Sequence, residues 1–172
     1  MKGNFAYIDN TNLYKGSQSE GYEIDYIRLR KYLHERHQVT KAHIFIGFVS
    51  KNRDLYKELQ DAGYTLIFKP TIPYEGGLKG NCDAELVLQA TIDFFENKYD
   101  KAIIVTSDGD FACLASFLKE KDKLDAVLSP RSKKRCSILL RQTGARLTFL
   151  PEVRDKIRKR PTGDETPAGQ TL

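Results

Sequence analysis

Short apolar runs rich in β-branched residues recur along this chain, and stretches of helical period separate most of them. That alternation favours a parallel sheet wrapped by helices over other arrangements. Strands are expected at Asn4 to Asp9, His43 to Val49, Tyr64 to Phe68, Lys101 to Thr106, Leu124 to Leu128 and Arg146 to Leu150. A helix is expected over Ile24 to His37, with Ile24, Ile27 and Tyr32 towards the core, and another from about Asn52 to Ala62, closed by Gly63. Further helices are expected over Cys82 to Asn97, carrying Leu86, Val87, Ala90 and Phe94 on one side, over Phe111 to Lys121, and, shorter, over Ser132 to Gln142. The segment KPTIPYEGGLKG holds two prolines and three glycines and is read as a loop.

At 172 residues the chain is the size of one domain. Residues 1–150 are assigned to it. Residues 151–172 are first basic (VRDKIRKR) and then poor in apolar side chains, and are expected to form a disordered tail. The longest apolar runs are strand-sized, so no membrane span is expected. MKGNFAYID enters a strand without the apolar core of a signal peptide, which makes the cytoplasm the default location. Cys82, Cys113 and Cys136 form no CxxC pair, which argues against a disulfide framework or a zinc site. His34 and His37, in HERH, lack the i, i+4 spacing of a zinc hydrolase and are read as a solvated helix face. Neither GxxxxGK[ST] nor GxGxxG occurs. The net charge of +5 suits a polyanionic partner without requiring one.

In a parallel sheet the C-terminal ends of all strands share one edge, and ligands bind there near the point where strand order reverses. Asp9 ends the first strand in AYIDNTN; Asp108 and Asp110 follow the fourth in VTSDGD; Asp83 opens the helix before it. Taken singly, each has an ordinary structural explanation. Asp108 can cap a helix, Asp110 can complement its dipole, Asp9 can fold a turn, and Asp83 can be a first-turn acid. If the first and fourth strands are neighbours, all four carboxylates meet. A pair 4 Å apart then costs about 4 kcal/mol at an effective dielectric of 20. A hard divalent ion such as Mg²⁺ or Mn²⁺ relieves that repulsion with oxygen ligands and supports phosphodiester hydrolysis.

Around these acids, Asn12 is a candidate to orient a water or phosphate, and Ser107 to bond a carboxylate or substrate. Glu85, two positions from Asp83, is expected to point elsewhere. Lys79 in the loop, and the cluster Arg131, Lys133, Lys134 and Arg135 after the fifth strand, are candidates to hold a polyanion.

The segments FAYIDNTNLY, GLKGNCDAEL and IIVTSDGDF, in this order and spacing, resemble the NYN domain, a branch of the PIN-like nucleases. The resemblance covers roughly the first 150 residues. It implies a three-layer α/β/α sandwich with a central, mainly parallel sheet, PIN-like and Rossmann-like. It also implies an acidic cluster binding Mg²⁺ or Mn²⁺, made of Asp9, Asp83, Asp108 and Asp110, with Asn12 as the asparagine of the first loop. Similar proteins often carry a further acid near GARLTF, where this chain has Ala145 and Arg146.

The leading expectation is a metal-dependent ribonuclease acting on single-stranded RNA and leaving a 5′-phosphate. The alternative is a catalytically weak RNA-binding or regulatory module. A Toprim-like phosphoryl-transfer fold is less attractive because it is expected to carry Glu where Asp9 stands. DNA as substrate, the number of metals and assembly as a homodimer are left open.

Overall fold

The computed structural model describes residues 2–69, 72–74, 77–79 and 82–160. Strands β1 (Asn4–Asp9), β2 (Val39–Gly47), β3 (Tyr64–Lys69), β6 (Ala102–Val105), β7 (Leu124–Ser129) and β8 (Leu147–Phe149) form one parallel sheet in the order β3-β2-β1-β6-β7-β8. Strands β4 (Ile72–Tyr74) and β5 (Gly77–Lys79) pair separately and antiparallel, inside the segment expected to be loop. The helices are α1 (Asn10–Ser19), α2 (Tyr26–His37), α3 (Arg53–Asp61), α4 (Asp83–Phe95), α5 (Ala112–Glu120), α6 (Ile138–Gln142) and α7 (Arg154–Ile157). No described helix is long and apolar enough to cross a membrane.

Side chains alternate across β1 and divide the core in two. Ala6 and Ile8 pack with Leu13, Leu29, Leu33, Ile44 and Leu59 beneath α1, α2 and α3. Phe5 and Tyr7 pack with Leu86, Ala90, Phe111 and Leu118 beneath α4 and α5. A central strand covered on both faces has to be apolar at successive positions, which is why FAYI is buried throughout. The sheet with helices on both faces is the expected three-layer α/β/α sandwich.

Several local expectations are corrected. Helix α1 begins at once after Asp9, in a stretch expected to be loop, because the Asp9 carboxylate accepts from the Asn12 N–H at 3.1 Å and caps it. Helix α2 starts only at Tyr26, where Asp25 caps it. That register leaves Ile27 on the solvent side, 61% exposed, while Leu29 and Leu33 fill the core. His37 is buried rather than solvated, with its Nδ1 2.7 Å from Asp125 Oδ2.

Part of the segment expected to be a disordered tail is ordered. Ile157 on α7 is fully buried among Ile24, Tyr26 and Leu29. The Asp25 N–H donates to the Ile157 carbonyl at 2.9 Å, and the Lys159 N–H to the Glu23 carbonyl at 2.9 Å. A single apolar residue among the basic ones is enough to anchor the turn. The remainder, 161–172, lies outside the described residues.

Candidate functional site

β1 and β6 are neighbours in register, with Ile8 opposite Val105. The helix after β1 covers one face of the sheet and the helix after β6 the other, so the two C-terminal ends flank the crevice where strand order reverses. Asp9 ends β1 on one side of that crevice. Asp108 stands three residues beyond Val105 on the other.

Local bonding fixes the acids. The Asp108 N–H donates to Thr106 Oγ1 at 3.2 Å, and the Asp108 carboxylate accepts from the Asp110 N–H at 3.1 Å, folding the SDGD turn. Gly109 is required there. A Cβ at that position would stand 2.4 Å from Ser137 Oγ and 3.1 Å from a Leu139 methyl. The same loop is tied from behind, because the Ser137 N–H donates to the Ser107 carbonyl at 3.1 Å. Asp83 enters from the first turn of α4. Carboxylate oxygens of Asp83, Asp108 and Asp110 lie within 4.8 Å of one another.

Asp9 lies within electrostatic reach of Asp83 and Asp108. Burial pushes its carboxyl up to about 6, and the Asp83 and Asp108 carboxylates push the same way, against the backbone N–H of Asn12 and Thr11. The donor set is hard oxygen with surplus negative charge, which suits a hexacoordinate divalent cation and not a thiophilic one. The neighbouring Cys82 thiol is pushed up to about 11, first by burial and then by Glu85, so it stays protonated near neutral pH. Glu85 turns away from the acids to Lys69, at 3.2 Å.

Asn12 and Ser107 meet each other. Asn12 Oδ1 accepts from the Ser107 N–H at 2.8 Å and from the Ser107 hydroxyl at 2.7 Å. Both Ser107 donors are thereby committed, and the pair clamps the end of β1 to the end of β6. A side-chain amide needed to lock two loops looks, in sequence, the same as one aimed at a ligand.

The basic cluster divides in two. Arg135 donates to the Ser19 carbonyl at 2.6 Å and lies 3.6 Å from Glu20, so it secures the far end of α1. Arg131 is half-buried beside Gly16, and its Nε is enclosed without a hydrogen-bond partner. Lys133 and Lys134 are exposed on the loop that returns to Ser107. Lys79 lies on β5, where side chains fall outside the described residues. Arg146 pairs with Asp125 at 2.7 Å at the opposite, N-terminal edge of the sheet.

A residue the sequence reading passed over also positions the site. Asp93 on α4 is 1% exposed and accepts from the Tyr7 hydroxyl and the Gln89 amide, each at 2.9 Å, with Lys98 Nζ at 3.2 Å. It locks α4, and therefore Asp83, against β1. Its signal was an acid three residues after Ala90 and seven after Leu86, on the apolar stripe.

The NYN domain family matches residues 6–147, which include every one of these acids. The chain belongs to the NYN family. A crystal structure of a protein of unknown function from Vibrio parahaemolyticus RIMD 2210633 shares the fold of this NYN domain, with a TM-score of 0.74 at 20% identity over 91% of this chain and 96% of that one. No curated protein matches the chain. Family membership brings a nuclease-like fold, and this NYN domain carries an acidic cluster at the edge where such a fold binds ligands.

Proposed function

We propose that this NYN domain is a Mg²⁺- or Mn²⁺-dependent ribonuclease that hydrolyses single-stranded RNA. The observation that carries the reading is the convergence of Asp83, Asp108 and Asp110, with oxygens within 4.8 Å, beside the Asp9 carboxyl, which burial first and then the Asp83 and Asp108 charges raise. When bound, the ion supplies charge neutralisation at a phosphoryl oxygen and activation of water.

The protein's own part is placement. Asp83, Asp108 and Asp110 hold the ion from the β6 side and Asp9 from the β1 side. The Asn12–Ser107 clamp keeps the two sides at fixed separation, which matters because a small misplacement of reacting groups costs orders of magnitude in rate. Lys133 and Lys134 attract the RNA backbone beside the acids, with Lys79 as a further contact, while Arg131 and Arg135 hold the basic loop in place.

The test is cleavage of a labelled single-stranded RNA by the pure protein with Mn²⁺. Chelator should abolish it, Asp108→Asn should slow it at least about a hundredfold, and the products should carry a 5′-phosphate. Equal cleavage by wild type and Asp108→Asn would mean that the activity belongs to a contaminant. RNA binding without turnover under either metal would favour a binding module instead.

A further inference from the structure

On the β2 side of the acidic crevice lies a cavity of about 510 Å³ that none of the roles above uses. Asn10 and Thr11, which follow Asp9 directly in the chain, form part of its wall. Its other walls come from α1, the start of α2, the end of β2 and α3.

The lining is specific in its chemistry. Ile24, Ile46 and Tyr26 give a buried apolar floor, and Leu55 of α3 closes one side. Tyr14, 48% exposed, stands at the wall, and its hydroxyl accepts from the Gln18 amide at 2.8 Å, which steadies the ring. Asn10 Oδ1 accepts from the Tyr26 hydroxyl at 2.8 Å, fixing a second aromatic ring. The charges balance: Lys15 and Lys159 line the cavity with Glu23 and Glu58, and Lys159 is taken by Glu23 at 2.6 Å. A cavity without surplus positive charge and with a carboxylate at Glu58 is unfavourable for phosphate. It suits a flat, largely apolar ring whose edge carries N–H donors.

The geometry points to a base-binding pocket: the cavity receives one unpaired nucleobase of the RNA whose neighbouring phosphate lies at Asp9, Asp83, Asp108 and Asp110. This rests on the ribonuclease reading and deepens it by naming what is recognised beside the cleaved bond. Tyr14 offers the stacking face and Glu58 accepts from the N–H edge of the base. A base inside a duplex cannot enter without leaving its stack, so the pocket selects single strands. Acids at β1 and β6 then lie between a base pocket towards β2 and the exposed lysines beyond β7.

The experiment uses the full chain carrying Asp108→Asn, so that bound RNA survives, and short single-stranded RNAs with an abasic site placed at each position in turn. Stacking of a base on an aromatic ring contributes much of single-strand affinity, so one abasic position should weaken binding about tenfold while the others matter less. Leu55→Trp, which fills the cavity, should weaken the intact RNA by a similar factor and erase the abasic effect. Tyr14→Ala, at an exposed position, should give the same loss without threatening the fold. If no position stands out, or if the abasic effect persists unchanged in both variants, the pocket is overturned. Cleavage by the wild type is scored separately. Turnover without base dependence sinks the pocket alone, and absence of any RNA binding sinks both readings.

Discussion

Asp9 serves two purposes that pull in opposite directions. Its carboxylate caps α1, yet burial and the Asp83 and Asp108 charges raise its pKa from the ordinary 3.8 to about 6. The folded chain therefore keeps a proton on Asp9 up to about pH 6 while the unfolded chain loses it near 3.8. Ionisation weighs against the fold above pH 6, and the penalty disappears as pH falls below 3.8. The shift corresponds to at most roughly 3 kcal/mol, and partial solvent access reduces it to about 1 kcal/mol. Asn caps a helix as well as Asp does. Without metal, Asp9→Asn should thus be more stable than wild type by about 1 kcal/mol at pH 7.5 and indistinguishable from it at pH 3.5, measured by urea unfolding. A second residue with little latitude is Gly109, whose Cβ space is taken by Ser137 and Leu139. Gly109→Ala should cost about 1–3 kcal/mol in a thermal melt and weaken Mn²⁺ binding, since the carboxylates on both sides of the turn move with it.

At the scale of elements, α4 carries Asp83 and is held by Asp93. His43, stacked on Tyr7 with ring centroids 5.4 Å apart, lies 3.6 Å from Asp93, too far for a hydrogen bond. Burial, and after it Lys41, pushes the imidazole down to about 4, so it is neutral near pH 7 and Asp93 depends on Tyr7, Gln89 and Lys98. Asp93→Ala leaves the buried Tyr7 hydroxyl without its acceptor. It should cost about 3 kcal/mol and weaken Mn²⁺ binding through Asp83, although Asp93 stands ten residues farther along α4; calorimetry on the folded variant reads both effects. The strands were legible in sequence because a sheet covered on both faces demands continuous apolar runs. Helix α1 was not, because NTNLYKGSQS has little apolar patterning and owes its start to a cap formed by the same Asp9 that suggested a metal ligand. Ile27 was misplaced for a related reason: Asp25 sets the start of α2, and the start decides which residues face the core.

For the molecule as a whole, the sheet edge brings together what the chain keeps apart. The crevice followed from the order of segments, since Asp9 and Asp108 could be assigned to one edge once their strands were taken as neighbours. Which polar groups would be consumed in holding that edge did not follow, because Asn12 with Ser107, and Arg135 with Ser19, pair only in three dimensions. The closing turn at Ile157 was hidden by its basic surroundings. Ile157→Ala should destabilise the domain by about 2–5 kcal/mol in urea unfolding, a cost that a residue in a disordered tail would not carry. The most direct test of the shared acidic centre is anomalous diffraction from crystals soaked in Mn²⁺. The account predicts a peak coordinated by Asp83, Asp108 and Asp110 on the side facing Asp9. A well-diffracting soaked crystal with manganese bound elsewhere, or with these carboxylates bonded only to water, would contradict it.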